Sequence, residues 1–334
     1  MKVLFNANWI GNHGIGRFAA EIIKRTPGLV EYGRNSFFSP VGILDCCVLT
    51  LRVIFSRALF FSPGFNAPLL GLTRYIFTVH DLNHIDLPYN SSYLKKMYYD
   101  FIIKRACRYG CKILTVSEYS RKRIIEWSNT SPDKVVNVGN GVDPSFNVWG
   151  QPFHTGFRYF LCVGNRKKHK NEAALIRAFS LTNLDPSIKL LFTGSSSDEH
   201  DELSEKLGLT DRIKYTGLVS DEQLAGLYRG AIGLLFPSLY EGFGLPVIEA
   251  MACGIPVLTS NTTSLPEVAG DAALLVNPES IDEIRIGIER LATDQALRED
   301  LISKGLERAK LFSWDAVAAR VQAVLDEVTS QHGK

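Results

Sequence analysis

The chain has 334 residues, enough for two domains of roughly 150 residues each. Its 46% hydrophobic and 22% charged content is that of an ordinary globular protein able to bury a core in either half. A net charge of +2 is too small for a nucleic-acid binder, which concentrates a basic excess. No run reaches the roughly 18 uninterrupted apolar residues of a spanning helix. The N-terminus enters a strand at Lys2-Val3-Leu4-Phe5 without a signal-peptide layout, so a cytoplasmic chain is expected. Cys46, Cys47, Cys107, Cys111, Cys162 and Cys253 lack zinc-ligand spacing and are expected as core residues, with Cys107 and Cys111 on one helix face.

Residues 3–7 read as a first strand, followed by Gly11-Asn12-His13-Gly14-Ile15-Gly16 and a helix from Arg17 with Phe18, Ala19, Ile22 and Ile23 on one face. Strand, glycine-rich loop and helix make a Rossmann-like start. The glycines do not follow G-x-G-x-x-G and no acidic residue closes a second strand, so a bound NAD is not expected. The loop can still set backbone N–H groups against a diphosphate or an acceptor. Residues 43–55 are apolar around Arg52 and read as a helix that either packs or touches a membrane surface. Residues 58–61 form a short strand before Ser62-Pro63-Gly64, and residues 75–79 another that ends at His80-Asp81-Leu82. Polar residues at the carboxyl end of a parallel strand are where doubly wound sheets hold ligands, although a lone histidine there is by default structural.

Residues 93–108 form a helix carrying Lys95, Lys96, Lys104, Arg105 and Arg108. A strand at 113–116 leads to Ser117-Glu118-Tyr119-Ser120, which caps a helix with Arg121, Lys122 and Arg123 in its first turn, where cations oppose the helix dipole. A solvated face accounts for them; contact with anionic lipid or a lipid-diphosphate acceptor is the sharper reading. Residues 135–138 precede a turn at 139–144, and 149–155 read as the interdomain linker.

Residues 159–164 open a second strand-helix series. Asn165-Arg166-Lys167-Lys168-His169-Lys170-Asn171 then separates a strand end from an amphipathic helix at 172–181. Cations at that place make an electropositive phosphate site, with a solvated loop or a nuclear-localisation run as the plain alternative. Further strands are expected at 188–193, 212–216, 232–236, 257–259 and 273–276, with helices around 201–207, 222–228 and 245–252. Strand and helix alternating through both halves predicts an α/β protein with two parallel doubly wound sheets. The last part is helical, with an apolar stripe of Val317, Ala318, Val321, Val324 and Leu325.

The stretch from Phe236 to Gly254 organises the whole. After a buried strand, Gly242 and Gly244 allow close approach of backbone to a ligand, and Pro246 suits a first helical turn. Glu241 lies in the turn and Glu249 about one turn into the helix, where carboxylates can accept hydrogen bonds from sugar or ribose hydroxyls. From spacing alone, a loop glutamate and an exposed helical glutamate read equally well.

Glu241 and Glu249, with Gly-Phe-Gly-Leu-Pro between them and Ala-Met-Ala-Cys-Gly after, resemble the Glu-x7-Glu signature of the retaining glycosyltransferases of family 4. These are nucleotide-sugar enzymes of GT-B architecture, two Rossmann-like domains facing across a cleft. The resemblance covers nearly the whole chain and is strongest from about 160 to 275. Val163-Gly164 with Lys170-Asn171 resembles the family's phosphate-contacting segment, and Thr216-Gly217-Leu218-Val219-Ser220 with Asp221 to Tyr228 the segment whose backbone holds the nucleobase. Gly14-Ile15-Gly16-Arg17-Phe18, His80-Asp81-Leu82 and Asn140-Gly141-Val142-Asp143 are typical of its first half, and Phe312-Ser313-Trp314 of the entry to a last helix that crosses back. The domains implied are 1–150 on the acceptor side, 151–312 for the nucleotide-sugar, and a crossing helix at 313–334.

The resemblance implies three catalytic residues, His80 near the transferred sugar, Lys170 on the departing diphosphate and Glu241 on the donor sugar. Phe243, Gly244 and Leu245 would offer backbone to the sugar, Glu249 would hold the ribose, and Leu218 would lie by the base. Arg166 and the N–H groups of Gly14 and Gly16 would join Lys170. In one departure from the family, Asn165 stands where many members carry arginine, which leaves Arg166 as its candidate replacement; His169 stands where many relatives have another arginine. There is no Asp-x-Asp motif, so transfer without a metal or cofactor is expected. The expected donor is a GDP-sugar carrying mannose or rhamnose. The expected acceptor is a saccharide on polyprenyl diphosphate, met at the inner face of the plasma membrane with possible peripheral membrane contact. A non-catalytic nucleotide-sugar-binding protein of the same fold is the alternative; it would not need both glutamates and the basic segment together.

Overall fold

A computed structural model describes residues 1–11, 14–34 and 43–332. Asn12 and His13 of the first glycine loop lie outside the described residues. The chain divides into two compact units, Met1–Gly141 with Ser313–Lys334, and Val142–Phe312.

The first unit holds a parallel sheet of β1 (Val3–Asn6), β2 (Leu29–Tyr32), β3 (Leu59–Ser62), β4 (Tyr75–Thr78), β5 (Lys112–Thr115) and β6 (Val135–Asn137), in the order β2-β1-β3-β4-β5-β6. β3 and β4 are buried at every position, which is why they read as unbroken apolar runs. β2 is not among the strands expected from the sequence. It is an edge strand with Val30 and Glu31 exposed, so neither an apolar run nor a clean alternation marks it. Val3 to Asn6 pair with Leu29 to Tyr32, and this register places Tyr32 at the carboxyl end of the sheet.

The helix Trp314–His332 packs on this unit. Val317, Val321, Leu325 and Val328 are buried, Arg320 Nε donates to the Val138 carbonyl at 2.8 Å, and Arg25 pairs with Asp315 at 2.8 Å. The basic helix at 93–109 is continuous but loosened by a π turn over Tyr99–Ile103. The cations after Ser117 are mostly tied down within the unit. Arg121 donates to the carbonyls of Val135 and Pro132, and Arg123 pairs with Asp86 and Glu126 at 2.6 Å each. That leaves Lys122 as the exposed cation of the turn. Cys47 is exposed rather than core, and Cys111 lies beyond the helix that carries Cys107, donating its Sγ–H to the Tyr75 carbonyl.

The second unit repeats the architecture with β7 (Tyr159–Cys162), β8 (Lys189–Phe192), β9 (Ile213–Tyr215), β10 (Leu234–Phe236), β11 (Val257–Ser260) and β12 (Leu274–Val276), ordered β12-β11-β10-β7-β8-β9 and parallel throughout. Helices on its faces bury Leu175, Phe179, Leu203, Ile284 and Ile288 against the strands. Residues 149–155 are held inside this unit, where Phe153 N–H donates to the Gly226 carbonyl and Arg229 reaches the Gln151 carbonyl.

Candidate active site

The second sheet reverses its winding between β7 and β10, and a doubly wound sheet places its ligand at that reversal, outside the carboxyl ends of the strands. The loops leaving those two strands are stitched together. Leu239 N–H donates to the His169 carbonyl at 2.8 Å, and Asn171 Nδ2 donates to the carbonyls of Pro237 at 3.0 Å and Pro278 at 2.7 Å. Asn171 sits at φ 59°, a left-handed conformation that asparagine tolerates. This clamp aims the preceding Lys170, whose Nζ lies 2.7 Å from Glu241 Oε1 and 4.9 Å from the centre of the Phe236 ring. Both partners are largely sheltered, 15% and 13% exposed, so their charges act through a lower effective dielectric than a surface pair.

The Glu241 turn is fixed from the next loop. Glu241 N–H donates to Thr263 Oγ1, while the buried Ser264 hydroxyl lies 2.9 Å from the carbonyls of both Glu241 and Phe243. Phe243 is buried edge-on to Phe312. Gly244 has φ 107° and opens the helix Leu245–Ala252, with Pro246 in its first turn. A side chain at Gly244 would be strained and would press on Leu265. Glu249 is 4% exposed, against the exposed alternative left open by spacing, and accepts from the buried Tyr228 hydroxyl at 3.0 Å. Tyr228→Phe is expected to cost about 1–3 kcal/mol by depriving a buried carboxylate oxygen of this donor, measured by thermal unfolding.

Arg166 is engaged within its own unit. At φ 61° it turns its guanidinium over Phe192 and Tyr215, with Nη1 2.9 Å from Glu172 Oε2 and Nε donating to the Ser195 carbonyl. Glu172 is 4% exposed, and a side chain at Gly164 would fall on its carboxylate. Burial pushes the Glu172 carboxyl up and the Arg166 charge pulls it back. Burial, then Arg166, holds His200 below the usual histidine range. His200 Nδ1 lies 3.3 Å from the Tyr215 hydroxyl and its Nε2 3.5 Å from Glu172 Oε2. Leu218 is 99% exposed in the loop after β9, where Gly194 and Gly217 exchange backbone hydrogen bonds.

Thus Lys170, Glu241, Phe243, Gly244, Leu245 and Glu249 gather around one strand-end region, and Arg166 joins it through Glu172. Sequence reasoning assigned no individual role to the side chains of Glu172, His200, Tyr228, Thr263 or Ser264, which position these groups. His80, Gly14 and Gly16 belong to the first unit. His80 Nε2 lies 2.9 Å from the Pro63 carbonyl, so that nitrogen carries the proton, and its ring stands edge-on to Phe18. Gly16 is buried where a Cβ would strike the Gly11 backbone, whereas at Gly14 it would meet nothing. Among the described residues, no group of three or more His, Cys, Asp or Glu is placed to hold a metal ion.

Comparison with known proteins adds three findings. The family description "Glycosyl transferases group 1" matches residues 146–308, and "Glycosyltransferase Family 4" matches residues 53–146. The chain is 33% identical over 271 residues to the O-antigen chain mannosyltransferase B of Escherichia coli, covering 77% of this chain and 71% of that protein. It is 32% identical over 219 residues to the serotype-specific mannosyltransferase WbdA of Escherichia coli, covering 60% of this chain but only 27% of that longer protein. The crystal structure of Anabaena Alr3699/HepE in complex with UDP and glucose is similar with a TM-score of 0.77 at 16% identity, covering 98% of this chain and 100% of that one.

Proposed function

We propose that this chain, which belongs to the glycosyltransferases of group 1 and family 4 and shares their GT-B fold, moves a hexosyl group from a nucleoside-diphosphate sugar to a saccharide acceptor and keeps the anomeric configuration. The observation that carries this reading is the Lys170–Glu241 pair at the winding reversal of the second sheet. Breaking the bond between the anomeric carbon and the diphosphate puts negative charge on the leaving group and oxocarbenium character on the sugar. Lys170 and the N–H groups opening the helix at Leu245 stabilise the first. Glu241 accepts from the sugar hydroxyls, and Glu249, steadied by Tyr228, accepts from the ribose. As the donor enters, Lys170 exchanges a carboxylate for a diphosphate, so its charge is preorganised and not newly ordered. The departing phosphate takes the acceptor proton on the same face of the sugar. Charge from Lys170 and the helix start lets transfer proceed without an added divalent cation. His80, Gly14 and Gly16 keep the roles that the family resemblance implies.

GDP-mannose is the first-choice donor, since O-antigen chain mannosyltransferase B and WbdA are named for mannose. A UDP-sugar is the competitor, since HepE holds UDP and glucose. The acceptor we propose is a saccharide on polyprenyl diphosphate, met at the inner face of the membrane during surface polysaccharide synthesis. With GDP-mannose and a short-chain polyprenyl-diphosphate saccharide, the protein is expected to release GDP and lengthen the acceptor by one residue of unchanged anomeric configuration, read by NMR. An acceptor left untouched with GDP-, UDP- and dTDP-sugars alike would overturn the assignment.

A further inference from the structure

In the second unit one buried carboxylate faces two side chains that can carry positive charge. Glu172 opens the helix Glu172–Ser180 directly after the Lys170-Asn171 turn, and its Oε2 lies 2.9 Å from Arg166 Nη1 and 3.5 Å from His200 Nε2. Its Oε1 is buried without a donor among the described residues. Arg166 in turn joins two loops, donating to the carbonyls of Thr193 and Ser195 after β8, where Thr193 Oγ1 also accepts from the Gly164 N–H at 3.2 Å. The carboxylate that holds Arg166 therefore also fixes the first turn of the helix behind Lys170. A cation drawing it elsewhere disturbs both.

His200 lies on the helix Asp198–Lys206 and packs against Phe192 of β8, with ring centres 5.3 Å apart. Glu199 and Asp201 of its own helix favour a charge on the ring. Burial, then Arg166 from the loop after β7, outweighs them and keeps His200 neutral at neutral pH. Glu172 faces Nε2, and the Tyr215 hydroxyl of β9 lies 3.3 Å from Nδ1. Around Glu172 stand Lys170, which favours its charge, and Cys162 of β7, whose thiol burial keeps protonated. Each ring nitrogen thus has an oxygen within reach, which an imidazolium with two N–H donors requires. A proton on His200 puts a second cation against Glu172 Oε2 and draws the carboxylate toward the helix Asp198–Lys206. Arg166 keeps its carbonyl partners but shares its charged one, and the turn that carries Lys170 shifts with Glu172.

We propose that His200 is a positioning residue for the donor site: neutral, it leaves Glu172 to Arg166 and Lys170 in place; protonated, it competes for Glu172 and weakens donor binding in acid. The effect on donor binding rests on the function proposed above, whereas the competition for Glu172 does not. Because the fold holds His200 below the ordinary histidine range, the stability it lends at neutral pH is lost as pH falls through about 6.5. The tightest-bound of GDP, UDP, dTDP and ADP is titrated calorimetrically between about pH 7.5 and 5, the range in which histidine changes charge, into the parent, His200→Gln and Tyr215→Phe. The nucleotide's own phosphate gains a proton there alike for every protein, so each affinity is read relative to its value at the upper pH and compared between proteins. The parent is expected to lose about fivefold more affinity than His200→Gln, within the tenfold per pH unit that one proton allows. Tyr215→Phe keeps a ring under Arg166 but removes an oxygen from the imidazolium, so its loss should move to lower pH. Melting temperatures over the same range need no nucleotide: the parent should fall further than His200→Gln, and Tyr215→Phe further than the parent. A His200→Gln protein that loses affinity as steeply as the parent would overturn the proposal, since Glu172 would then be the group that titrates. Should His200→Gln not fold, acid profiles of Tyr215→Phe that match the parent's would overturn it equally. Binding of none of the four nucleotides at the upper pH would contradict the function proposed above, and the melting profiles alone would then decide the part played by His200.

Discussion

Lys170→Ala is expected to lower kcat/KM for the donor by about 100- to 1,000-fold, the effect of deleting one preorganised donor to a developing negative charge. The size follows from the setting of Lys170. Its ammonium is 15% exposed, lies against the Phe236 ring face and is aimed by the Asn171 clamp, so solvent cannot readily replace it. The substitution also strips Glu241 of its partner at 2.7 Å, which by itself unsettles the loop. Lys170→Met/Glu241→Gln isolates the effect on the fold. Removing both charges is expected to restore the melting temperature toward that of the parent, whereas its turnover reflects the loss of Glu241 as well. A Lys170→Ala protein that melts normally and keeps kcat/KM within about threefold would refute the role assigned to the cation, because the expected loss starts near 100-fold.

Glu172→Ala is expected to destabilise the second unit by about 3 kcal/mol, the lower end for breaking a buried ion pair, because Arg166 retains some solvent contact. Without Glu172 the guanidinium stays over Phe192 and Tyr215 with only the carbonyls of Thr193 and Ser195 to meet it. For a unit of this size the loss corresponds to a fall in melting temperature of about 6–12 °C. Glu172→Met/Arg166→Met should recover most of it, since apolar replacements of a buried pair are often neutral or better. A drop of less than about 2 °C in the single variant would show that Arg166 finds an equivalent partner elsewhere, because a loss of 3 kcal/mol cannot produce so small a shift.

How far the site could be read in the sequence depends on distance along the chain. The helix Leu245–Ala252 is legible because Gly244 and Pro246 mark its start locally. Tyr159–Cys162 is legible because every position is buried and the run is apolar. The pairing of Lys170 with Glu241 spans 71 residues; the family resemblance implies both residues at the donor, but neither it nor any local rule implies that they meet. Glu172 reads locally as an acid favoured by the start of a helix, and nothing near it announces Arg166 across a left-handed turn or His200 beyond β8. Tyr228 is hidden for the same reason, meeting Glu249 only when two helices pack. Among the strands, β2 escaped because an edge position leaves half of it in solvent. The exposed face of Ile43–Phe55 marks the opposite limit: the sequence shows an apolar helix, and only the packing shows which half is left uncovered.

The most direct measurement is calorimetric titration of the protein with GDP, UDP, dTDP and ADP, repeated on Lys170→Ala. A nucleoside diphosphate bound at the strand-end site requires that one of the four bind clearly more tightly than the rest and that this affinity collapse in the variant. Folded protein that binds none of them, or that binds one with the same affinity after Lys170→Ala, would contradict the account.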